Sequence, residues 1–282
     1  MSLFFLAKRF VAGEDFTAAI PVIQQLNDKG IHVTVNMLGE HVKERTVAEQ
    51  IRDEYLGVID HIRRARLDAN ISIKPTQIGM DVSDEVCYQL IAPVVAKAAE
   101  HDIFIRLDME GSPYTQRTID LLYRLREQNS NVGIVIQAYL RRSEADIEAM
   151  NRQKIRVRLC KGAYKEPREI AFQSMDKEIR PMFIKLAKRL ITEGVYPGIA
   201  THDELIINAV KAFVAEQQIS RDRFEFQMLY GIRVDSQERL AQEGYHIRTY
   251  VPYGPHWAPY FYRRLRERKE NVWFVLSNLF KK

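Results

Sequence analysis

The stretch from Val132 to Cys160, VGIVIQAYLRRSEADIEAMNRQKIRVRLC, contains one complete strand-helix-strand unit. It opens with a β-branched run, continues through residues 143–152 with apolar side chains at helical spacing, and closes with the short run IRVRLC from Ile155. A parallel pair of strands needs a connection of this length to cross back over its sheet. The stretch therefore predicts a parallel α/β fold.

The same unit recurs along the whole chain. The predicted strands are IHVTVNML from Ile31, ISIKPTQ from Ile71, IFIRLDME from Ile103, VGIVIQAY from Val132, IRVRLC from Ile155, PGIATH from Pro197, FEFQML from Phe224 and YHIRTYV from Tyr245. The predicted helices are 43–66, 83–100, 114–127, 143–152, 169–193, 203–217 and 235–243, with expected N-caps at Ser83, Ser143, Asp203 and Asp235. Eight units without a compositional break favour a closed (β/α)8 TIM barrel over an open doubly wound sheet. We expect residues 1–282 to form a single domain with a helical N-terminal extension over 1–29.

Composition and missing motifs exclude several classes of protein. The 282 residues are 46% apolar and 28% charged, and they contain no apolar run approaching the roughly 20 residues of a membrane span. The start, MSLFFLAKRF, lacks the apolar core of a secretory signal, so a cytoplasmic location is expected. The net charge of +5 comes from basic residues that alternate with acids, so a nucleic-acid partner is not expected.

Neither cysteine nor histidine spacing indicates a metal or disulfide framework. Cys87 and Cys160 lie far apart and are expected to be packing residues, and no two histidines have metal-ligand spacing, so no bound metal is expected. The motifs GxGxxG, P-loop, HExxH and GxSxG are also missing, which removes the usual signatures of nicotinamide binding, nucleotide hydrolysis, zincin chemistry and acyl transfer.

Polar side chains gather where the predicted strands end, which is where barrel enzymes hold their reacting groups. They are Lys74, Asp108, Gln137, Arg158 with Lys161, Thr201 with His202, Gln227 and Tyr250. Each alone could cap a helix or contact water. Seven strand ends together predict an active site.

Strand alternation predicts which residues lie beneath that site. If Lys74, Asp108, Arg158 and Gln227 point inward, the residues two positions before each of them should share that inward face. These are Ser72, Arg106, Arg156 and Glu225. Buried arginines are costly without a counter-charge, so we expect Glu225 to neutralise Arg106, Arg156 or both.

Two segments carry the most specific pattern: RLCKGAYKEP from Arg158 and YVPYGPHWAPYFYRRLRERKEN from Tyr250. In the second, Tyr260, Arg263, Arg264 and Glu267 form one helical stripe at i, i+3, i+4 and i+7. If this helix lies over the barrel mouth, the arginines can clamp a carboxylate. The alternative is a solvated face with ordinary i,i+4 ion pairs.

These segments resemble the proline dehydrogenase family, in particular its short monofunctional bacterial members. The matching stretches are RFVAGE at Arg9, SIKPTQIG at Ser72, IRLDME at Ile105, VIQAYL at Val135, RLCKGAYKEP at Arg158, ATHD at Ala200, FQMLYGIR at Phe226 and the block from Tyr250 to Asn271. The resemblance implies a distorted (β/α)8 barrel with its last helix above the strands and non-covalently bound FAD. It also implies oxidation of L-proline to Δ1-pyrroline-5-carboxylate by hydride transfer from C5 to flavin N5, as the first step of proline catabolism. Electrons would pass to a membrane quinone, with peripheral contact at the inner face of the membrane, and pyrroline-5-carboxylate dehydrogenase would act downstream.

The resemblance also implies site residues by position. The catalytic positions are Lys74, Asp108, Arg158 and Tyr250, and the proline-binding positions are Lys74, Leu229, Tyr250, Tyr260, Arg263 and Arg264. The FAD positions are Asp108, Met109, Val135, Gln137, Arg158, Cys160, Lys161, Gly162, Ala163, Tyr164, Thr201, His202, Gln227, Met228, Leu229, Arg264 and Glu267. Cys160 departs from the family, which usually has an aliphatic residue there.

Two other functions remain open on the sequence. A Schiff-base aldolase barrel could use Lys74 or Lys161 as its nucleophile. A basic barrel without catalytic activity could bind nucleic acid or an acidic membrane surface.

Overall fold

A computed structural model describes residues 4–267. Eight parallel strands close into a barrel in sequence order, so each strand pairs with its neighbours in the chain and β1 pairs with β8. The strands are β1 His32–Met37, β2 Ala69–Ile73, β3 Ile105–Leu107, β4 Val132–Gln137, β5 Val157–Cys160, β6 Gly198–Ala200, β7 Glu225–Leu229 and β8 His246–Tyr253. The predicted TIM barrel is confirmed.

Helices precede, connect and follow the strands. They are α1 Phe4–Ala7, α2 Phe16–Asp28, α3 Arg45–Arg64, α4 Asp84–Ala99, α5 Ser112–Arg126, α6 Ser143–Arg152, α7 Arg180–Glu193, α8 Glu204–Glu216, α9 Val234–Gln242 and α10 Trp257–Glu267. Short 3-10 turns cover Pro75–Ile78 and Arg221–Arg223, and a π-helical turn covers Met175–Ile179. Within residues 4–267, no helix combines the length and the apolar character that crossing a bilayer requires.

The outer faces of the strands form most of the apolar core. Ile71, Ile73, Ile105, Leu107 and Ile134 are essentially inaccessible to solvent and belong to one cluster with the apolar stripes of the surrounding helices. Because side chains alternate along a strand, the residues between these positions point into the barrel. That inner set is largely polar, which leaves the barrel interior available for a hydrogen-bonded network.

Two of the four expected helix caps are correct. Ser83 accepts a hydrogen bond from the Val86 amide, and Asp203 accepts one from the Leu205 amide. Ser143 does not cap α6, because its hydroxyl donates to the carbonyl of Gln137. Asp235 is also not a cap, since α9 already begins at Val234 and places the carboxylate in its first turn.

The predicted helix 169–193 is wrong in its first part. The chain after β5 instead forms a loop that pairs Leu140 with Ala171 in an antiparallel bridge. Helical structure starts only after Ser174, whose side chain accepts a hydrogen bond from the Lys177 amide. The loop is therefore held against the end of β4, where the RLCKGAYKEP segment lies.

Candidate active site

Asp108 lies just beyond β3 and is the centre of a buried polar network. Its Oδ1 accepts hydrogen bonds from the Ser72 hydroxyl at 2.9 Å and from Arg158 Nη1 at 2.8 Å, and its Oδ2 accepts one from the Tyr250 hydroxyl at 2.7 Å. Ser72, Arg158 and Tyr250 come from three other strands, β2, β5 and β8. The carboxyl ends of four strands therefore meet at one carboxylate.

Arg158 is only 5% exposed, and its guanidinium group is held on two sides. Nε donates to Gln227 Oε1, while Nη1 donates to Asp108 and to the Ser72 hydroxyl at 3.0 Å. The guanidinium carbon lies 5.2 Å from the centre of the Tyr250 ring. The remaining nitrogen, Nη2, is buried and has no hydrogen-bond partner among the described residues. A buried cationic donor of this kind calls for an acceptor.

Burial and the Asp108 charge both act on Tyr250. Burial raises the pKa of the Tyr250 phenol well above its ordinary value, and the neighbouring Asp108 carboxylate raises this pKa further. Tyr260 contributes in the same direction. Tyr250 therefore stays protonated and donates to Asp108 at every physiological pH.

A buried ion pair lies beneath this network. Glu225 is 1% exposed, and both its carboxylate oxygens accept from Arg248 Nε, at 2.8 and 2.9 Å. Burial alone would raise the pKa of Glu225, but the Arg248 charge and hydrogen bond outweigh burial and lower it. Glu225 is thus ionised and inside the barrel, as expected, but its ion-pair partner is not the expected one.

Arg106 and Arg156 make other contacts. Arg106 Nη1 donates to the carbonyls of Ile134 and Arg156, both at 3.1 Å. The Arg156 guanidinium lies between the rings of Phe104 and Tyr196 at 4.3 and 4.7 Å. Burial lowers the pKa of both arginines, and Glu225 offsets this only in part. Glu225 therefore forms its direct ion pair with Arg248, while its charge acts on Arg106 and Arg156 as expected and offsets their burial in part.

Lys74 follows β2 and contributes to a second part of the site. Its Nζ donates to Asn36 Oδ1 at 3.3 Å, and Asn36 Nδ2 donates to the Ser72 carbonyl at 3.0 Å. Lys74 also lines a cavity of about 460 Å³ together with Tyr260 and Arg263 of α10. The structure thus brings a strand-end lysine and two stripe residues to one cavity.

Helix α10 lies over the carboxyl ends of the strands. Its Tyr260 and Phe261 form an apolar cluster with Leu38, which follows β1, and Ile232, which follows β7. Leu229, the last residue of β7, packs against the same cluster. This confirms the predicted position of the last helix.

The two adjacent arginines of α10 both contact Tyr260. The guanidinium carbons of Arg263 and Arg264 lie 5.5 and 5.2 Å from the Tyr260 ring centre. Tyr260 is buried, Arg264 is half-buried and Arg263 is exposed on the cavity side. The side chain of Glu267, the fourth stripe residue, lies outside the described part of the structure.

The loop after β5 approaches the mouth through Gly162. This glycine has φ +106°, and a Cβ there would lie 2.2 Å from the Tyr139 ring, so only glycine fits. Backbone bonds from Ala138 to Cys160 and from Tyr139 to Lys161 align the loop with β4. Burial raises the pKa of Cys160 to about 12, so its thiol stays protonated.

Further along this loop, Ala163 precedes Tyr164, which is 38% exposed. The pKa of Tyr164 is raised by burial and by the charges of Glu110, Glu40 and Asp108, while Arg263 lowers it. The charges of Asp108 in the polar network and of Arg263 in α10 thus both act on Tyr164.

The remaining predicted positions surround the network. Gln137 is buried and donates from Nε2 to the Glu110 carbonyl at 2.9 Å. The Thr201 hydroxyl accepts from the Asp203 amide, and His202 Nε2 accepts from the Leu229 amide at 2.9 Å. The predicted apolar positions Met109, Val135 and Met228 are buried.

Three residues of the site were not singled out by sequence reasoning for the contacts they make. Arg248 lies two positions before Tyr250, so the alternation argument applied to β8 would have found it. Asn36 lies near the end of β1, the one predicted strand from which no strand-end residue was selected. Glu110 is buried and accepts from the Thr76 amide and hydroxyl, and burial raises its pKa; its position in LDME gave no separate signal. Among residues 4–267, no group of three or more His, Cys, Asp or Glu side chains could hold a metal ion.

Comparison with known proteins bears on the origin of this arrangement. Residues 19–277 match the model of the family described as proline dehydrogenase. Proline dehydrogenase 1 of Bacillus subtilis subsp. natto is 40% identical over 277 residues, covering 98% of this chain and 91% of that protein. The chain belongs to the proline dehydrogenase family.

Two further relatives agree with that membership. Proline dehydrogenase of Deinococcus radiodurans is 36% identical over 282 residues, covering 98% of this chain and 90% of that protein. Proline utilization A from Bdellovibrio bacteriovorus, solved after inactivation by N-propargylglycine, superimposes with a TM-score of 0.86 at 25% identity. This chain covers about a third of that longer protein, 32%, and 93% of this chain is matched. The predicted family and enzyme class are confirmed, and family membership supports oxidation of proline in proline catabolism.

Proposed function

We propose that this proline dehydrogenase oxidises L-proline to Δ1-pyrroline-5-carboxylate with FAD as its cofactor and a quinone as electron acceptor. The observation that carries the proposal is the geometry of Arg158. Its guanidinium is fixed at Nε and Nη1, and its buried Nη2 has no partner among the described residues. A fixed cation with a free donor, at the carboxyl end of a barrel strand, suits an electron-rich ring.

The residues present fit FAD. The Arg158 Nη2 donor matches the acceptor atoms along the edge of an isoalloxazine ring, and Gln137 and Gln227 offer further polar contacts nearby. In the proposal the cofactor is held by Asp108, Met109, Val135, Gln137, Arg158, Cys160, Lys161, Gly162, Ala163, Tyr164, Thr201, His202, Gln227, Met228, Leu229, Arg264 and Glu267. When bound, FAD would take a hydride from proline C5 at its N5 and pass the electrons to the quinone.

The chain's own residues would bind and orient proline. Lys74 and Arg263 line the cavity over the strand ends together with the carboxylates of Glu40 and Glu54, and the two cations would bind the proline carboxylate. Arg264, half-buried against Tyr260, would add a second guanidinium. Leu229, Tyr250 and Tyr260 would bound the pyrrolidine ring. Positioning of this kind, more than acid-base chemistry, accounts for catalysis in the proposal.

Asp108 and Tyr250 would form the polar side of the site and keep Arg158 in place. Tyr250 donates to Asp108, and Asp108 holds Arg158. With Lys74 these three form the proposed catalytic set. Because proline must lose its ammonium proton before it can release a hydride, the rate should rise with pH as the substrate amine deprotonates.

The proposal places the enzyme in the cytoplasm, with contact at the inner face of the membrane where its quinone acceptor dissolves. A pyrroline-5-carboxylate dehydrogenase would consume the product. The quinone, the membrane contact and the downstream dehydrogenase are all proposed from the resemblance to the proline dehydrogenase family.

The test is an assay of the purified protein with L-proline and a soluble quinone, in which the pyrroline product is trapped with o-aminobenzaldehyde. One trapped product should form per quinone reduced. If no pyrroline forms, or if borohydride with a carbonyl substrate instead labels Lys74 or Lys161, the proposal is wrong and the aldolase alternative gains support.

A further inference from the structure

Glu225 lies below the proposed flavin site and touches none of the groups proposed to bind proline, yet it is connected to Arg158. Gln227 Nε2 donates to Glu225 Oε1, and Gln227 Oε1 in turn accepts from Arg158 Nε. On its other side Glu225 is fixed by Arg248, whose Nη1 also donates to the Val33 carbonyl at 2.7 Å. A continuous chain of hydrogen bonds thus joins the bottom of the barrel to Arg158.

We propose that Glu225 is a positioning residue, which acts through Gln227 to fix the orientation of the Arg158 guanidinium toward the bound flavin. The inference rests on the proposed function. It assigns to the buried ion pair a role beyond charge balance in the barrel scaffold.

The donors and acceptors along this chain permit only one arrangement. A carboxylate only accepts and a guanidinium only donates, whereas an amide has one end of each kind. Glu225 therefore takes the Nε2 end of Gln227 and leaves its Oε1 for Arg158. If the Gln227 amide were flipped, its Oε1 would face the Glu225 carboxylate, which is also an acceptor, and its Nε2 would face Arg158 Nε, which is also a donor. The ionised state of Glu225 makes that orientation unique.

The backbone makes room for this side chain. A Cβ at Gly198 of β6 would lie 2.3 Å from Gln227 Nε2 and 2.8 Å from Gln227 Cδ. Gly198 has no left-handed backbone to explain the glycine, so the space it leaves is what the Gln227 amide occupies. The Gln227 amide is thus constrained twice, by close packing against Gly198 and by its hydrogen bond to Glu225.

As a consequence, two of the three nitrogens of the Arg158 guanidinium are held by hydrogen bonds. Gln227 holds Nε, and Asp108 with Ser72 holds Nη1. Only the Nη2 edge remains, and rotation of the guanidinium would cost one of the two anchors. Without the Glu225 constraint, the Asp108 anchor alone would leave Arg158 free to turn that edge away.

The experiment compares Glu225→Gln with Gly198→Ala, measuring the Kd of the apoprotein for oxidised and for reduced flavin. Glu225→Gln lets Gln227 adopt either amide orientation, and Gly198→Ala displaces the amide without changing any charge. In both variants we expect reduced flavin to lose about tenfold in affinity relative to oxidised flavin. For a two-electron couple this equals a reduction potential about 30 mV more negative.

The sign of the change separates positioning from simple electrostatics. Loss of a negative charge at residue 225, acting only through space, would strengthen binding of the electron-rich reduced flavin. Loss of Arg158 alignment weakens it. In addition, kcat for proline should fall while KM changes little, because the variants do not alter Lys74, Arg263 or Arg264, the cations proposed to bind the proline carboxylate.

Thr118→Val is the matched control. Thr118 is buried in α5 and its hydroxyl has no hydrogen-bond partner among the described residues, so the variant perturbs the packed interior of the protein without touching Glu225, Gln227 or Arg158. It should leave the ratio of the two flavin affinities unchanged.

Unchanged affinity ratios in the folded variants, or tighter binding of reduced flavin in Glu225→Gln, would overturn the inference. If Glu225→Gln does not fold, Gly198→Ala decides the matter, because the atom it displaces is the end of a flexible side chain. A wild-type protein that binds no flavin would overturn the proposed function and this inference together.

Discussion

Replacing Asp108 with alanine should destabilise the protein far more than removing a surface carboxylate. Asp108 is 8% exposed and Arg158 is 5% exposed, so the variant leaves a buried guanidinium without its counter-ion. It also removes the acceptor of the Ser72 and Tyr250 hydroxyls. Breaking a buried ion pair by removing one partner costs about 3 to 5 kcal/mol. For a chain of this size that corresponds to a drop in Tm of roughly 6 to 20 °C.

The assay is thermal unfolding of the flavin-free protein at neutral pH, so that loss of cofactor binding does not contribute. Asp176→Ala is the matched control, because Asp176 also pairs with an arginine, Arg180, but its side chain is 78% exposed. The control should unfold at the wild-type temperature, since exposed pairs contribute little. A Tm for Asp108→Ala equal to that of the control would refute the buried network.

Three other expectations concern the α10 helix, the loop after β5 and the buried ion pair. Arg263→Ala should raise KM for proline about tenfold to a hundredfold with a smaller effect on kcat, the range for one charge-assisted hydrogen bond; steady-state kinetics would show an unchanged KM if Arg263 did not contact substrate. Gly162→Ala should lower Tm and flavin affinity because its Cβ would collide with the Tyr139 ring, whereas Gly57→Ala, in a helix with nothing within 4 Å, should raise stability by roughly 0.5 to 1 kcal/mol. Because the pKa of Glu225 is lowered in the folded protein, its ionised carboxylate stabilises the fold fully above pH 4.5, the ordinary pKa, and this contribution is lost as the pH falls through the lowered pKa. The free energies of unfolding of wild type and Glu225→Gln should therefore converge over that acid range. A constant difference between them would contradict the direction of the pKa shift.

The barrel itself could be predicted from sequence because its signal is local and repeated. Each β-branched run is followed by a helical segment long enough for a parallel crossover, and all eight runs became strands. Boundaries were less predictable. The IFIRLDME run formed only Ile105–Leu107 as strand, and residues 169–174 joined a loop because pairing between Leu140 and Ala171 outweighed their helical pattern.

The sequence predicted which residues lie in the site better than it predicted which partners they contact. Alternation placed Ser72 and Glu225 inside the barrel, and both are buried there. It did not identify the partner of Glu225, because ion pairing across a barrel depends on strand register. In this barrel, register sets Gln227 opposite Arg248, with Glu225 beside it. The stripe at Tyr260 and Arg263 left open whether this helix lies over the mouth or presents a solvated face. The resemblance to the family implied a position over the mouth, and the apolar contacts of Phe261 hold the helix there.

The most direct test is the visible spectrum of the purified protein, recorded without oxygen before and after L-proline is added. We expect a flavin absorption band that L-proline bleaches. In Arg263→Ala the same bleaching should require a higher proline concentration and reach the same end point. A protein without a flavin band, or a flavin band that saturating L-proline leaves unchanged, would contradict the proposed function.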